Sequence, residues 1–171
     1  ADFLGCDPRR AARGLSEFRG VGRRLERLGE ARGVLFIDDY GHHPTEIRAT
    51  LAALRGSYAK GRRLVVLFQP HRYTRTRQLW REFGPALKGA DDVRVLPVYA
   101  AGEKPLKGVS SDLIVASARR AGVPAQPFGR TVDLACELGP GDVVLTLGAG
   151  DVWKTGADLL KRLESGTLSS A

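Results

Sequence analysis

The stretch Val34-Leu35-Phe36-Ile37-Asp38-Asp39-Tyr40-Gly41-His42-His43-Pro44-Thr45-Glu46 decides the fold. It opens on uninterrupted apolar side chains with no polar alternation. A short run of that kind reads as a strand buried on both faces, as in parallel sheets. Pro44 then suits the first turn of a helix, where its missing N–H would have no partner in any case. The spacing of Ile47, Leu51, Leu54 and Tyr58 predicts one apolar face on a helix from Pro44 to Tyr58. Between strand and helix lie two acids, a phenol and two of the chain's three histidines. In an open α/β sheet, ligands bind at such strand-to-helix turns.

Outward from this stretch, apolar runs and amphipathic segments keep alternating. Strands are expected at Arg24 to Leu28, Leu64 to Phe68, Val93 to Val98, Ala125 to Pro127 and Val143 to Leu147. Helices are expected from Asp7 to Phe18, Thr76 to Leu87, Asp112 to Ala121, Thr131 to Glu137 and Asp151 to Leu163. Asp7 and the Ser110-Ser111-Asp112 segment supply caps, and Gly84-Pro85 should kink or shorten its helix. Alternation at these lengths means crossover connections and a mostly parallel α/β sheet. The early strand pair, joined by a Gly29 to Gly33 turn, should form a hairpin and add an antiparallel edge.

Composition narrows the class. The chain has 171 residues, 43% hydrophobic and 27% charged, which suits one globular domain with a real core. No run approaches the ~20 apolar residues of a membrane-spanning helix. Nothing at the amino end reads as a secretory signal, and Cys6 and Cys136 lack any redox or metal spacing, so a reducing, cytoplasmic setting is expected. The absence of Met, with the opening Ala1-Asp2-Phe3, leads to the expectation of a piece of a longer protein. Residues 1–20 are read as a helix or linker from a preceding domain, 21–163 as one domain and 164–171 as a frayed polar tail. The net charge of +8 raises nucleic-acid binding. Its concentration in Arg9, Arg10, Arg13, Arg19, Arg23, Arg24, Arg27 and Arg32, without interleaved aromatics, favours a solvated arginine-rich surface instead.

Three strands end in loops that can carry chemistry, and a parallel sheet would bring them to one edge. The second loop reads Gln69-Pro70-His71-Arg72-Tyr73-Thr74-Arg75-Thr76. Arg72 and Arg75, three apart at a helix start, present planar forks for carboxylate or phosphate beside a helix amino end. His71 could bind the same ligand or move a proton near neutral pH. In the first loop, Asp38 and Asp39 stand where an acid can accept from a ribose hydroxyl. His42 and His43 raise a metal site, but adjacent histidines point apart and a third ligand is needed, so no metal is expected. His43, just before Pro44, is the better candidate for a structural imidazole. The third loop, Gly148-Ala149-Gly150-Asp151, matches half of a dinucleotide fingerprint, with Trp153 at the place of the third glycine. It reads better as a tight turn admitting a close approach. No phosphate loop of the Gly-x-x-x-x-Gly-Lys-Ser/Thr type occurs, which argues against a free-standing nucleotide binder.

Taken in order, Phe18 to Glu26, Asp38 to Glu46, Phe68 to Thr76, Tyr99-Ala100-Ala101-Gly102-Glu103 and Leu147 to Asp151 resemble the carboxy-terminal domain of the Mur ligase family. Among its members, they resemble most the branch that joins L-alanine to UDP-N-acetylmuramate; the branch that recycles cell-wall peptides ranks second. The resemblance runs from about residue 8 to 163. It implies a Rossmann-like, mostly parallel sheet with helices on both faces. It also implies an ATP-dependent amide ligase of peptidoglycan synthesis, acting through an acyl phosphate, with ATP and Mg2+ bound mainly by two further domains and with no membrane or nucleic-acid partner. A piece without those domains would be inactive alone. On these positions the family's pattern implies Tyr40, His42, His71, Arg72 and Arg75 around the amino acid, with His42 and His71 catalytic. It implies Arg24, Asp38 and Asp39 at the nucleotide.

Overall fold

The computed structural model describes residues 5, 7–17 and 22–166. Helix α1 (Pro8–Glu17) is followed by β1 (Glu26–Ala31), β2 (Val34–Asp39), α2 (Pro44–Gly56), β3 (Leu64–Phe68), α3 (Tyr73–Ala86) and β4 (Asp92–Val95). The chain continues with α4 (Asp112–Arg120), β5 (Ala125–Pro127), α5 (Thr131–Glu137), β6 (Val143–Leu147) and α6 (Val152–Ser165). The sheet has six strands in the order β1-β2-β6-β3-β4-β5. Only the β1–β2 pair is antiparallel; β6 lies parallel between β2 and β3. The expected α/β sheet with one antiparallel edge is therefore present.

The unbroken apolar runs sit where both faces are covered. Every residue of β2, β3 and β6 is buried. Leu35 and Ile37 point into a core shared with Ile47, Leu51 and Leu54 of α2, Phe83 of α3 and Ile114 of α4. Val34 and Phe36 point the other way, against Leu134 of α5 and Val152, Leu159 and Leu163 of α6. Period-two alternation on a two-sided sheet thus sends each half of the apolar run to a different core.

Several boundaries move for visible reasons. The β1–β2 turn is the two-residue Arg32-Gly33, both at positive φ (51° and 77°), the geometry that matches the twist of a hairpin. Gly29 lies within β1 rather than in the turn. A Cβ there would stand 2.7 Å from Leu160 of α6. Tyr58 lies beyond the end of α2 and is 44% exposed, so it does not share the apolar face expected of it. Helix α3 starts three residues before the expected Thr76, because Glu103 accepts from Thr74 N–H (3.0 Å) and Thr74 Oγ1 (2.6 Å) at its first turn. The same helix runs through Gly84-Pro85 to Ala86. Pro85 cannot donate to the Arg81 carbonyl, and Ser117 Oγ of α4 donates there instead at 3.3 Å. Strand β4 stops at Val95, short of Val98, since Pro97 has no N–H for the ladder. At the carboxyl end, Glu164 and Ser165 belong to α6 rather than to a frayed tail. Residues 1–4, 6 and 18–20 of the expected linker, residue 21, and residues 167–171 of the expected tail lie outside the described residues. Cys136 is exposed.

Candidate active site

Strands β2, β3 and β6 are parallel neighbours, so the loops after Asp39, Phe68 and Leu147 converge on one edge. They are bonded to one another. Gly148 N–H donates to Asp39 O (3.0 Å), Gln69 N–H to Leu147 O (3.0 Å) and Arg72 N–H to Tyr99 O (2.8 Å). Gln69, buried at the end of β3, donates through Nε2 to Asp151 (2.8 Å) and accepts from Val152 N–H (3.1 Å). The glycines of the third loop are the space this amide needs. A Cβ on Gly150 would come within 2.3 Å of Gln69 Oε1, and one on Gly148 within 2.8 Å of the Gln69 carbonyl. The close approach expected at this turn is thus made by the protein's own Gln69.

The two aspartates point inward. Asp38, 1% exposed, accepts from Arg23 Nε (2.8 Å) and from Thr146 Oγ1. Asp39, 3% exposed, accepts from Leu25 N–H (3.0 Å), Gly41 N–H (2.7 Å) and Thr50 Oγ1 (3.1 Å). Through these bonds both carboxylates shape the first loop. Arg23, which sequence reasoning did not single out, joins all the parts. Its Nη1 donates to Gly150 O (3.1 Å), its Nη2 to Gly148 O (2.7 Å), and its guanidinium lies 5.1 Å from the centroid of the Tyr40 ring. In sequence it stood only within the basic amino end and the Phe18 to Glu26 motif. Arg24 itself is exposed, 5.7 Å from the same ring and 3.9 Å from Glu46, free to meet an anion.

His43 and His42 separate as expected of neighbours. His43 is exposed and caps α2: its Nδ1 accepts from Thr45 N–H at 3.3 Å, and Glu46 accepts from the N–H of His43 (3.1 Å) and of His42 (2.9 Å). Burial pushes the Glu46 carboxyl up, but those two backbone bonds, with His42 and Arg24 nearby, outweigh it and hold it below its ordinary value. His42 lies across the gap from His71, with ring centroids 5.6 Å apart. Tyr40 meets His42 edge-on at 5.5 Å, and Tyr99 stacks on His71 at 5.6 Å. Arg75 Nη1 is 3.3 Å from His71 Nδ1. Burial first, then the charges of His42, Arg75 and Arg72, hold the His71 pKa below its ordinary value and favour the neutral imidazole. Arg72 is exposed, at φ 71°, as the residue before α3. The amino end of α3 is not itself open to an anion, because Glu103 already occupies it. The two arginine forks remain. Among the described residues no cluster of three or more His, Cys, Asp or Glu is placed to hold a metal ion.

The arrangement is an open edge with cationic forks, paired imidazoles and exposed aromatic rings, suited to an amino acid or another small anion. Residues 23–150 match the family described as Mur ligase, glutamate ligase domain. The chain is 55% identical over 146 residues to the UDP-N-acetylmuramate–L-alanine ligase of Endomicrobium trichonymphae, covering 85% of this chain and 32% of that protein. It is 46% identical over 156 residues to the ligase of the same name from Geotalea uraniireducens, covering 88% and 34%. In structure it matches the UDP-N-acetylmuramate–alanine ligase of Thermotoga maritima with a TM-score of 0.78 and 30% identity, over 96% of this chain and 35% of that one. A murein peptide ligase from Psychrobacter arcticus shares the fold at a TM-score of 0.68 and 23% identity, over 90% of this chain and 32% of that one. The chain thus spans about a third of the length of the relatives it matches. By its matched residues, its sheet order and the loops that meet at its carboxyl edge, this chain belongs to the Mur ligase family, in its glutamate ligase domain.

Proposed function

We propose that this chain is the amino-acid-orienting part of an ATP-dependent ligase that joins L-alanine to the carboxylate of UDP-N-acetylmuramate, a cytoplasmic step of peptidoglycan synthesis. The observation that carries this reading is the meeting of His42 and His71 at 5.6 Å beside Arg72 and Arg75, in a chain 55% identical to a ligase of that name. When bound, ATP supplies the phosphoryl group that turns the sugar carboxylate into an acyl phosphate. Arg24, exposed beside Tyr40, is the group of this chain suited to the nucleotide phosphates. Among the described residues no cluster of three or more acids, histidines or cysteines is placed for Mg2+, and no step is assigned to the ion.

What this domain contributes is position. Arg72 and Arg75 hold the alanine carboxylate, so that the amine stands toward the His42–His71 gap and meets the acyl carbon in a near-attack geometry. Tyr40 and Tyr99 wall the gap. Pinning of the loops by Arg23 and Gln69 keeps these groups from drifting as substrates arrive.

The test is a chimera in which the matched segment of this chain replaces the corresponding 146 residues of the Endomicrobium trichonymphae ligase. It should form the amide from L-alanine, ATP and UDP-N-acetylmuramate. A folded chimera that ignores L-alanine but ligates a preformed peptide would replace this reading with that of a recycling ligase.

A further inference from the structure

His42 and His71 face each other, yet their fixed partners demand opposite tautomers. The Tyr40 carbonyl can only accept, so His42 Nδ1, 3.1 Å away, carries the proton. A guanidinium can only donate, so His71 Nδ1, 3.3 Å from Arg75 Nη1, carries the lone pair. Neutral His42 therefore presents a bare Nε2, and neutral His71 presents an Nε2–H.

Their surroundings separate them further. The Glu46 carboxylate of α2 lies 3.8 Å from His42 Nδ1 and can balance a charge gained at Nε2, though Arg24 shares that carboxylate at 3.9 Å. Tyr40 stands edge-on to the same ring. Around His71 the balance is reversed: His42, Arg75 and Arg72 oppose a positive charge, and Glu103 alone favours it. A proton added at His71 Nδ1 would also break the bond from Arg75.

We propose that His42 Nε2 accepts the proton of the incoming α-ammonium group, while His71 remains neutral and donates Nε2–H to the substrate carboxylate. This division rests on the ligase reading above. One ammonium proton passes to His42. The freed lone pair forms the C–N bond at the acyl carbon, and the C–O bond to phosphate breaks with its electron pair going to the phosphate. The second amine proton leaves as part of hydrogen phosphate, and His42, 20% exposed, returns its proton to water.

Two measurements test this. In 15N imidazole NMR of this chain above neutral pH, His42 should be the Nδ1–H tautomer. His71 should be Nε2–H, and so should His43, whose Nδ1 accepts from Thr45. A protonated Nε2 on His42, or a protonated Nδ1 on His71, overturns the proposal whatever the ligase does. In the chimera, His42→Asn keeps a donor toward the Tyr40 carbonyl but removes the acceptor. It should lower kcat/KM for L-alanine by about 100-fold or more and abolish the low-pH limb of the profile. His71→Gln keeps a donor near the Nε2 position and should recover most of what His71→Ala loses. If His42→Asn is the milder change, or leaves the low-pH limb in place, the assignment is wrong. If the chimera prefers another amine while the tautomers and the order of variants hold, the substrate reading falls and the proton assignment stands.

Discussion

The two edges of the sheet use arginine in opposite ways. At the amino ends of the strands, Arg55 donates to Gly89 O (2.7 Å) and Arg62 O (2.8 Å) and pairs with Asp91. Arg62 donates to Gly141 O (2.7 Å), and Arg63 reaches Asp92 (3.2 Å) and Asp142 (3.4 Å). These cations close carbonyls and carboxylates that the strand ends leave over. At the carboxyl ends of β2, β3 and β6, among the described residues, Arg23 works that way. Arg24 and Arg72 stand exposed, and Arg75 leans on an imidazole. A high arginine content therefore says little about function. What matters is whether the forks are spent on the protein's own backbone.

Removing Arg23 should have the largest effect on stability. Its partner Asp38 is 1% exposed, and two loop carbonyls would lose their donors at the same time. Stranding a buried charge costs about 3–5 kcal/mol. Arg23 is itself 25% exposed, so water reaches the gap and about 2–3 kcal/mol is expected. Arg23→Ala should lower Tm by about 5–10 °C in a calorimetric scan. Arg23→Lys should restore the charge but not both carbonyl bonds, and fall between.

Arg72→Ala should do the reverse, leaving Tm unchanged while weakening substrate use. A charge-assisted hydrogen bond contributes about 1.5–3 kcal/mol, so KM for L-alanine in the chimera should rise about 10- to 100-fold. Binding of the UDP sugar should be unaffected. An equal loss of both, with the fold intact, would remove Arg72 from the amino-acid site.

The acid response singles out one group of the carboxyl edge. His71 has a folded pKa below 6.5, so the unfolded chain binds more protons as pH falls from there. The stability tied to its neutral form is present above 6.5 and is lost as pH drops through the lower folded value. Glu46 and Asp91 have folded values below 4.5 and 3.8, so their contributions are lost only in stronger acid. A urea titration between pH 6.5 and 5 should show a first decline that His71→Gln abolishes; a decline that persists in His71→Gln would locate the titrating group elsewhere.

Much of this was legible in the chain. Buried runs such as Leu64 to Phe68 announced central strands, and polar residues placed directly after them marked the edge where chemistry gathers. His43 was readable as a structural imidazole because Pro44 follows it; that it caps α2 came from the structure. The roles of Asp38 and Asp39 were not readable, since an acid after a strand can face a ligand or fold back onto an arginine. The choice depends on Arg23, fifteen residues before Asp38, and on carbonyls of Gly148 and Gly150 more than a hundred residues away. Gln69 was hidden for the same reason: its partners, Asp151 and Val152, arrive from another strand's loop.

The smallest effect should come from Arg63, and it tests the comparison from the quiet side. Its side chain is 40% exposed, and its partners Asp92 and Asp142 are 15% and 10% exposed. Asp92 also keeps Arg94 at 2.8 Å, and Asp142 still accepts from Gly139 N–H at 3.0 Å, so neither carboxylate is stranded when Arg63 goes. Screened pairs of this kind contribute about 0–1 kcal/mol. Arg63→Ala should therefore shift Tm by no more than about 2–4 °C, and less in high salt. If Arg63→Ala matched Arg23→Ala, the amino edge would be as tightly coupled as the carboxyl edge, and the distinction between bracing arginines and the one that pins a buried carboxylate would fail.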